Sequence, residues 1–269
     1  MKKNRTALTG FLAKIWIWFW FWLLISIAGL LYKVFYGRIL GRLKKERERN
    51  LKIAVGAKLK RDISLVFLSN HKGLIEALLL PLLLWWEFTW YPSLVPVSTP
   101  DAQNFMDGDI FGSMSWWGKI KRWTGTKLMR LVPAIPIPRN SKLGSGRAFF
   151  AMRDMLDSGK GIVLTIFGEG GRTSSETDPA NLRTENGRTI RRFQRGIVDL
   201  ILKTREPFII LPVWSEGADK LWPRGGRLTL QASLHFHFNR PFLSSSLFHL
   251  GPDEIRDRLE RAVLGAKKK

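Results

Sequence analysis

One long apolar segment dominates the first part of the chain. Residues 15 to 32, IWIWFWFWLLISIAGLLY, carry no charged side chain. A helix rises about 1.5 Å per residue, so a helix of this length approaches the thickness of the hydrocarbon core of a bilayer. Its tryptophans suit the interfacial zone of a membrane. The pattern predicts an N-terminal membrane-anchoring helix. A buried helix of a soluble protein and a cleaved signal peptide are the alternatives.

After this segment, short apolar runs separated by amphipathic stretches recur to the end of the chain. Such alternation is typical of an α/β domain, and we predict a mixed, largely parallel central sheet flanked by helices. The predicted strands span residues 64–69, 93–98, 134–137, 161–167, 208–213, 227–231 and 234–238. The predicted helices span Gly144 to Leu156 and Thr189 to Lys203, and a last helix begins near Pro252.

Charge divides the chain into two predicted parts. Residues 1–50 form a membrane anchor and a basic juxtamembrane helix, and residues 51–269 form the α/β domain. Between residues 33 and 49, seven Lys and Arg follow the apolar segment. They outnumber the positive charges on its other side, so the positive-inside rule places the domain on the cytoplasmic face of the inner membrane. The same cluster should bind anionic lipid.

The whole chain is strongly basic and contains no cysteine. Its formal net charge is +22, from 44 Lys and Arg against 22 Asp and Glu. This charge attracts any extended anionic surface, whether phospholipid headgroups or nucleic acid. The absence of cysteine excludes disulfides, thiolate metal sites and a cysteine nucleophile.

A histidine and a glutamate lie where the first predicted strand gives way to a leucine-rich stretch, in NHKGLIE. Five residues along an unbroken helix turn a side chain by about 500°, which separates His71 from Glu76. The two side chains meet only if a helix begins at or just after His71. A carboxylate on one imidazole nitrogen would then leave the other nitrogen free as a base. A capping histidine beside a surface glutamate is the alternative.

A glycine-rich turn follows the predicted strand at 161–167. It has the sequence FGEGGR, residues 167 to 172. Glycines expose backbone N–H groups that can form an anion-binding nest, and the Arg172 guanidinium offers a fork for a phosphate. The turn therefore suits a phosphorylated ligand. An ordinary loop, with glycines that serve only the turn geometry, is the alternative.

Together these stretches resemble the glycerolipid acyltransferase family, which includes the bacterial lysophosphatidic acid acyltransferases. The family carries four motifs in a fixed order, and this chain has a counterpart of each: NHKGLIE, IPIPRN, FGEGGR and IILPVW. The ordered set is far more specific than any one motif. The family usually has aspartate at the position of Glu76.

The resemblance implies a role for each matching residue. His71 would be the general base that deprotonates the acceptor hydroxyl, and Glu76 would orient it. The acceptor's phosphate would be held by Arg139, Glu169, Gly170 and Arg172, and Pro212 would shape the acyl side of the pocket.

The function implied by the resemblance is that of a membrane-anchored O-acyltransferase. It would move a fatty acyl group from acyl-CoA or acyl-carrier protein to a lysophospholipid, here 1-acylglycerol-3-phosphate, without a metal or redox cofactor. One alternative within the class is acylation of another lysolipid or of a lipid A-like glycolipid. From a different class, the chain could be a non-catalytic binder of membranes or nucleic acid. No nucleic-acid recognition motif is visible in the sequence, so no nucleic-acid partner is expected.

Overall fold

The computed structural model describes residues 44–46, 48–72, 76, 80, 91, 94, 96–99, 134–138, 142–170, 179–221 and 233–265. The α-helices with both ends in these ranges are α1 (Glu48–Arg61), α2 (Lys142–Leu156), α3 (Arg195–Lys203), α4 (Ala218–Leu221) and α5 (Pro252–Leu264). Glu76 and Leu80 are also helical. The strands are β1 (Lys44–Glu46), β2 (Leu65–Ser69), β3 (Pro96–Ser98), β4 (Val163–Phe167), β5 (Leu182–Glu185), β6 (Arg188–Arg191), β7 (Ile209–Glu216), β8 (His235–Phe238) and β9 (Phe242–Leu243). Short 3-10 helices span Pro179–Asn181 and Ser244–Leu247.

The central sheet is mixed and largely parallel, as predicted. Its strand order is β1-β8-β7-β2-β4-β3, and β9 pairs with β7. The pairs β2–β4, β2–β7, β3–β4 and β1–β8 are parallel, whereas β7–β8 and β7–β9 are antiparallel. The central strands β2 and β4 are almost fully buried. Burial on both faces explains why these strands appear in the sequence as continuous apolar runs.

Helices cover both faces of this sheet. Successive side chains of a strand point to opposite faces, and in β2 this alternation sends Leu65 and Phe67 to one core and Val66 and Leu68 to the other. The first core includes residues of α1. The second includes residues of α2, α3 and α5. The α/β prediction with flanking helices is therefore confirmed.

The predicted helix over Thr189 to Lys203 is wrong in its first part. Residues Arg188–Arg191 form β6, which pairs with β5 in an antiparallel hairpin, and α3 begins only at Arg195. The turn of the hairpin consists of Asn186 and Gly187, whose φ angles of 56° and 72° are those of a type I′ turn. An Asn-Gly pair between strands is a strong hairpin signal. The helical spacing of the apolar residues concealed it.

Other predicted elements have mixed outcomes. The strands at 64–69, 161–167, 208–213 and 234–238 and the helix from Pro252 are confirmed. In the segment 134–137, Ala134 makes an isolated bridge to Ser98. The segment 227–231 and the apolar segment 15–32 lie outside the described residues. Within the ranges that the structure describes, no helix is both long and apolar enough to cross a membrane.

The basic segment before residue 50 takes part in the sheet where it is described. We expected this segment to be helical, but residues Lys44–Glu46 form the edge strand β1, paired in parallel with β8. The helix begins at Glu48 and runs to Arg61, across the predicted domain boundary at residue 50. The backbone N–H and C=O groups of β1 find hydrogen-bond partners in β8.

Candidate active site

Two parallel strands, β2 and β4, end together at one edge of the sheet, beside β7, which continues to Glu216. Ser69, the last residue of β2, aligns with Phe167 of β4 and with Val213 of β7. The chain then continues from β2 into Asn70 and His71, and from β4 into the glycine-rich turn. In open α/β sheets, ligands bind in the crevice beyond the carboxyl ends of the strands. This edge is therefore where the fold favours a functional site.

His71 and Glu76 meet at this edge, as the sequence predicted. His71 Nδ1 lies 3.2 Å from Glu76 Oε2. The same carboxylate oxygen accepts the backbone N–H of Lys72 at 2.9 Å. His71 and Lys72 are not helical, whereas Glu76 is. The helix thus begins after His71, which is the condition that brings the two side chains together.

The burial of the pair is unequal in a way that suits proton transfer. The Glu76 side chain is fully buried, whereas 14 % of the His71 side chain is exposed. Glu76 accepts hydrogen bonds from the Lys72 N–H and the Ser215 hydroxyl. An ionised carboxylate only accepts hydrogen bonds, so with a neutral imidazole it would accept the Nδ1–H and leave Nε2 with its lone pair. The ring of Phe167 packs on the imidazole, with centroids 4.6 Å apart.

Asn70 and Ser215 form a buried clamp behind the pair. The Asn70 side chain donates from Nδ2 to the Ser215 carbonyl at 3.0 Å and accepts the Ser215 N–H on Oδ1 at 2.7 Å. These two hydrogen bonds resemble the paired hydrogen bonds of an antiparallel β ladder, and they join the ends of β2 and β7. The Ser215 hydroxyl then contacts Glu76 Oε1.

Glu169 ties the glycine-rich turn to the backbone of the histidine. It is fully buried. Its Oε1 accepts the backbone N–H of His71 at 2.8 Å, and its Oε2 accepts that of Arg191 at 3.1 Å. The Gln194 side chain donates to its carbonyl at 3.3 Å. Contact between Glu169 and an acceptor phosphate stays a prediction; the contacts seen here hold the backbone of His71 in place.

Close packing requires glycine at two positions of this turn, Gly168 and Gly170. Gly170 has a φ of 63°, and a Cβ there would lie 2.5 Å from Cγ of Gln194. A Cβ on Gly168 would lie 2.8 Å from the Phe193 ring. The N–H of Gly170 donates to the Phe167 carbonyl at 3.2 Å, inside the turn. Its contribution to an anion-binding nest stays a prediction.

The other predicted residues are placed as follows. Pro212 lies in β7 beside Leu68, and its carbonyl accepts the Asn239 N–H at 2.9 Å. Arg139 and Arg172 lie outside the described residues. The sequence did not single out Asn70 or Ser215. For Ser215, the available signal was a polar residue inside the apolar strand IILPVWSE.

Comparison with solved structures gives a resemblance to a known protein. The chain is similar to the crystal structure of the 1-acyl-sn-glycerophosphate (LPA) acyltransferase PlsC from Thermotoga maritima, with a TM-score of 0.42 and 17 % sequence identity over 89 % of this chain and 90 % of that chain. No protein-family model matches the sequence, and no curated protein matches it. Function is therefore argued below from the residues and their geometry.

Proposed function

We propose that the chain is an O-acyltransferase that moves a fatty acyl group from the thioester of acyl-CoA or acyl-carrier protein to a lysophospholipid hydroxyl. The acceptor is 1-acylglycerol-3-phosphate and the product is phosphatidic acid. One observation carries the proposal: the partly exposed imidazole of His71 lies 3.2 Å from the buried carboxylate of Glu76 at the carboxyl edge of the sheet. The four motifs in family order support it.

The geometry supports a direct transfer. His71 Nε2 takes the proton of the acceptor hydroxyl while the hydroxyl oxygen attacks the thioester carbonyl carbon. The C–S bond of the tetrahedral intermediate then breaks, and the imidazolium gives the Nε2 proton to the leaving sulfur, so that the free thiol departs and His71 is again neutral. Glu76 stabilises the imidazolium through Nδ1 and holds the productive tautomer. Glu169 keeps the ring in position through the His71 backbone.

Charge supports an anionic acceptor and donor. The net charge is +22. Lys72 directly follows the histidine, and its ammonium lies 4.6 Å from the centroid of the Trp214 ring; the Arg188 guanidinium lies 5.1 Å from the same centroid. Cations close to the site favour the approach of phosphorylated substrates. Under this proposal Arg139 and Arg172 bind the acceptor phosphate, Pro212 lines the acyl side, and residues 15–32 anchor the chain to the cytoplasmic face of the inner membrane.

Replacement of the base is the direct test. We expect His71→Ala to lower kcat for acyl transfer from acyl-CoA to 1-acylglycerol-3-phosphate by about 10²- to 10⁴-fold, since positioned proton transfer contributes that much. His249→Ala is the matched control, because His249 is exposed, and it should keep the wild-type rate. Wild-type turnover by His71→Ala would remove His71 as the base.

A panel of acceptors separates the remaining possibilities. If the chain prefers a glycolipid or another lysolipid, the proposed acceptor is wrong but the proposed acyl transfer stands. Strongly salt-dependent binding to DNA, with no turnover of any acceptor, would favour a non-catalytic binding protein instead.

A further inference from the structure

We infer that Ser215 is a positioning residue for the proton-transfer pair, and that it acts through Glu76. The inference rests on the proposed function. Ser215 lies near the end of β7, on a strand that contributes neither member of the pair. Its hydroxyl binds Oε1 of Glu76, whereas His71 and Lys72 bind Oε2. The carboxylate is thus held at both of its oxygens.

The direction of the hydroxyl bond follows from the acceptors around it. Ser215 Oγ also lies 3.2 Å from Asn70 Oδ1, which already accepts the Ser215 N–H at 2.7 Å. If the hydroxyl proton pointed to Asn70 while Glu76 was ionised, Ser215 Oγ and Glu76 Oε1 would face each other with no proton between them. The proton therefore lies between Ser215 and the carboxylate. A hydrogen bond to an ionised carboxylate is among the stronger ones in proteins.

Asn70 prevents Ser215 from turning away. Its amide binds both the N–H and the carbonyl of Ser215, and Asn70, Ser215 and Glu76 are all fully buried. A glutamate side chain has several rotatable bonds, and ordering it requires contacts that offset its lost rotamer freedom. The clamp supplies a fixed anchor at the oxygen remote from the histidine. The carboxylate plane is then set before substrate binds.

Loss of the anchor should reduce kcat rather than substrate binding. In Ser215→Ala, Oε1 of Glu76 loses its hydroxyl donor, and the carboxylate can rotate away from Nδ1. A misplacement of about 1 Å in a catalytic constellation can cost up to about 100-fold in rate. We expect kcat to fall by about 10- to 100-fold, with the KM of the acceptor changed by less than about twofold, because Ser215 is buried behind the carboxylate.

A matched serine separates positioning from simple stability. Ser244 is also fully buried, and its hydroxyl accepts a backbone N–H, that of Phe208, at 3.0 Å. It lies beyond β9, by the start of β7. Ser244→Ala should lower the melting temperature about as much as Ser215→Ala and leave kcat unchanged. If both variants lose kcat in proportion to their loss of stability, the positioning role is wrong.

A double-mutant cycle tests whether Ser215 works through Glu76. In a Glu76→Gln background, Ser215→Ala should cause little further loss of kcat, since the group that it orients is already impaired. An equal loss of kcat in both backgrounds would show that Ser215 acts by another route and would overturn the inference.

A readout without turnover keeps the inference separate from the proposed function. The full chain, labelled with ¹⁵N at its four histidines, is measured by NMR in micelles, and the His71 ring signals are assigned with His71→Ala. We expect the wild type to show one tautomer with the proton on Nδ1, Ser215→Ala to show a mixture, and Ser244→Ala to match the wild type. Identical His71 signals in all three would contradict the inference. An absence of acyl transfer by the wild type, together with the expected ring signals, would instead contradict the proposed function alone.

Discussion

Two regions of the molecule bury a glutamate, and they use it differently. At the carboxyl edge of the sheet, Glu76 binds an imidazole, a hydroxyl and a backbone N–H. Behind the β5–β6 hairpin, Glu260 of α5 lies 3.2 Å from the Arg183 guanidinium and 3.3 Å from that of Arg192, and it accepts the Phe193 N–H at 2.8 Å. Both carboxylates are fully buried.

The partners, rather than the burial, distinguish the two carboxylates. A guanidinium stays protonated at any pH that a protein tolerates, so Glu260 faces a constant positive charge. An imidazole can carry one or two ring protons, so the contact between Glu76 and His71 strengthens when a second proton is bound. The hairpin region is therefore built to hold structure. The sheet edge can respond to chemistry.

Replacing Glu260 and Glu76 in turn should give the largest difference between the two regions, in stability for Glu260 and in kcat for Glu76. Glu260→Ala leaves two guanidinium groups without their buried partner, and we expect the free energy of unfolding to fall by about 3 kcal/mol. Glu76→Gln keeps the side-chain shape and should destabilise less, but it should lower kcat as severely as His71→Ala does. Urea denaturation followed by tryptophan fluorescence, together with acyl transfer assays on folded protein, checks both. A larger loss of stability in Glu76→Gln than in Glu260→Ala would reverse the comparison.

A second contrast uses one glycine in each region. Gly170 at the site and Gly187 in the hairpin have φ angles of 63° and 72°. Alanine in that conformation lowers the free energy of unfolding by about 1 kcal/mol or more at either position. A Cβ at Gly170 would also lie 2.5 Å from Cγ of Gln194, whereas nothing lies within 4 Å of one at Gly187.

We therefore expect Gly187→Ala to lose about 1 kcal/mol of stability and keep its activity. Gly170→Ala should lose more stability, and also activity, because Gln194 contacts Glu169, which holds the His71 backbone. Thermal unfolding and kcat measured on both variants test the contrast. Equal losses in the two would mean that the turn at the site tolerates displacement of Gln194.

The sequence predicted one of these regions much better than the other. At the sheet edge, the run before His71 and the spacing to Glu76 left a capping histidine beside a surface glutamate as an alternative, and the four ordered motifs favoured the pair. A local change from strand to helix then brings the two side chains together. The contact of the serine behind the pair with Asn70 and Glu76 was not predictable. Ser215 lies 145 residues from Asn70 along the chain, and only the parallel pairing of β2 with β7 brings the two into contact.

In the hairpin region the difficulty was local. The spacing of Phe193, Ile197, Leu200 and Ile201 is helical, and all four are buried, as an amphipathic helix requires. Phe193 reaches the core from the segment before α3, where its N–H binds Glu260. The hydrogen bond from the Phe193 N–H to Glu260 stabilises a non-helical backbone at Phe193, although the spacing of the apolar residues indicates a helix there.

The smallest expected effect separates a helix cap from a catalytic carboxylate. At the start of α5, Glu254 accepts the Gly251 N–H at 2.9 Å, much as Glu76 accepts the Lys72 N–H. Glu254 is exposed and lies in the first turn, so Glu254→Gln should cost about 0.5 kcal/mol, mainly through the helix dipole. It should leave acyl transfer unchanged. Chemical denaturation and kcat measured beside Glu76→Gln test this. A loss of kcat in Glu254→Gln would mean that helix capping alone explains the loss in Glu76→Gln. Unchanged kcat would mean that the role of Glu76 depends on His71 and Ser215, partners that Glu254 lacks among the described residues.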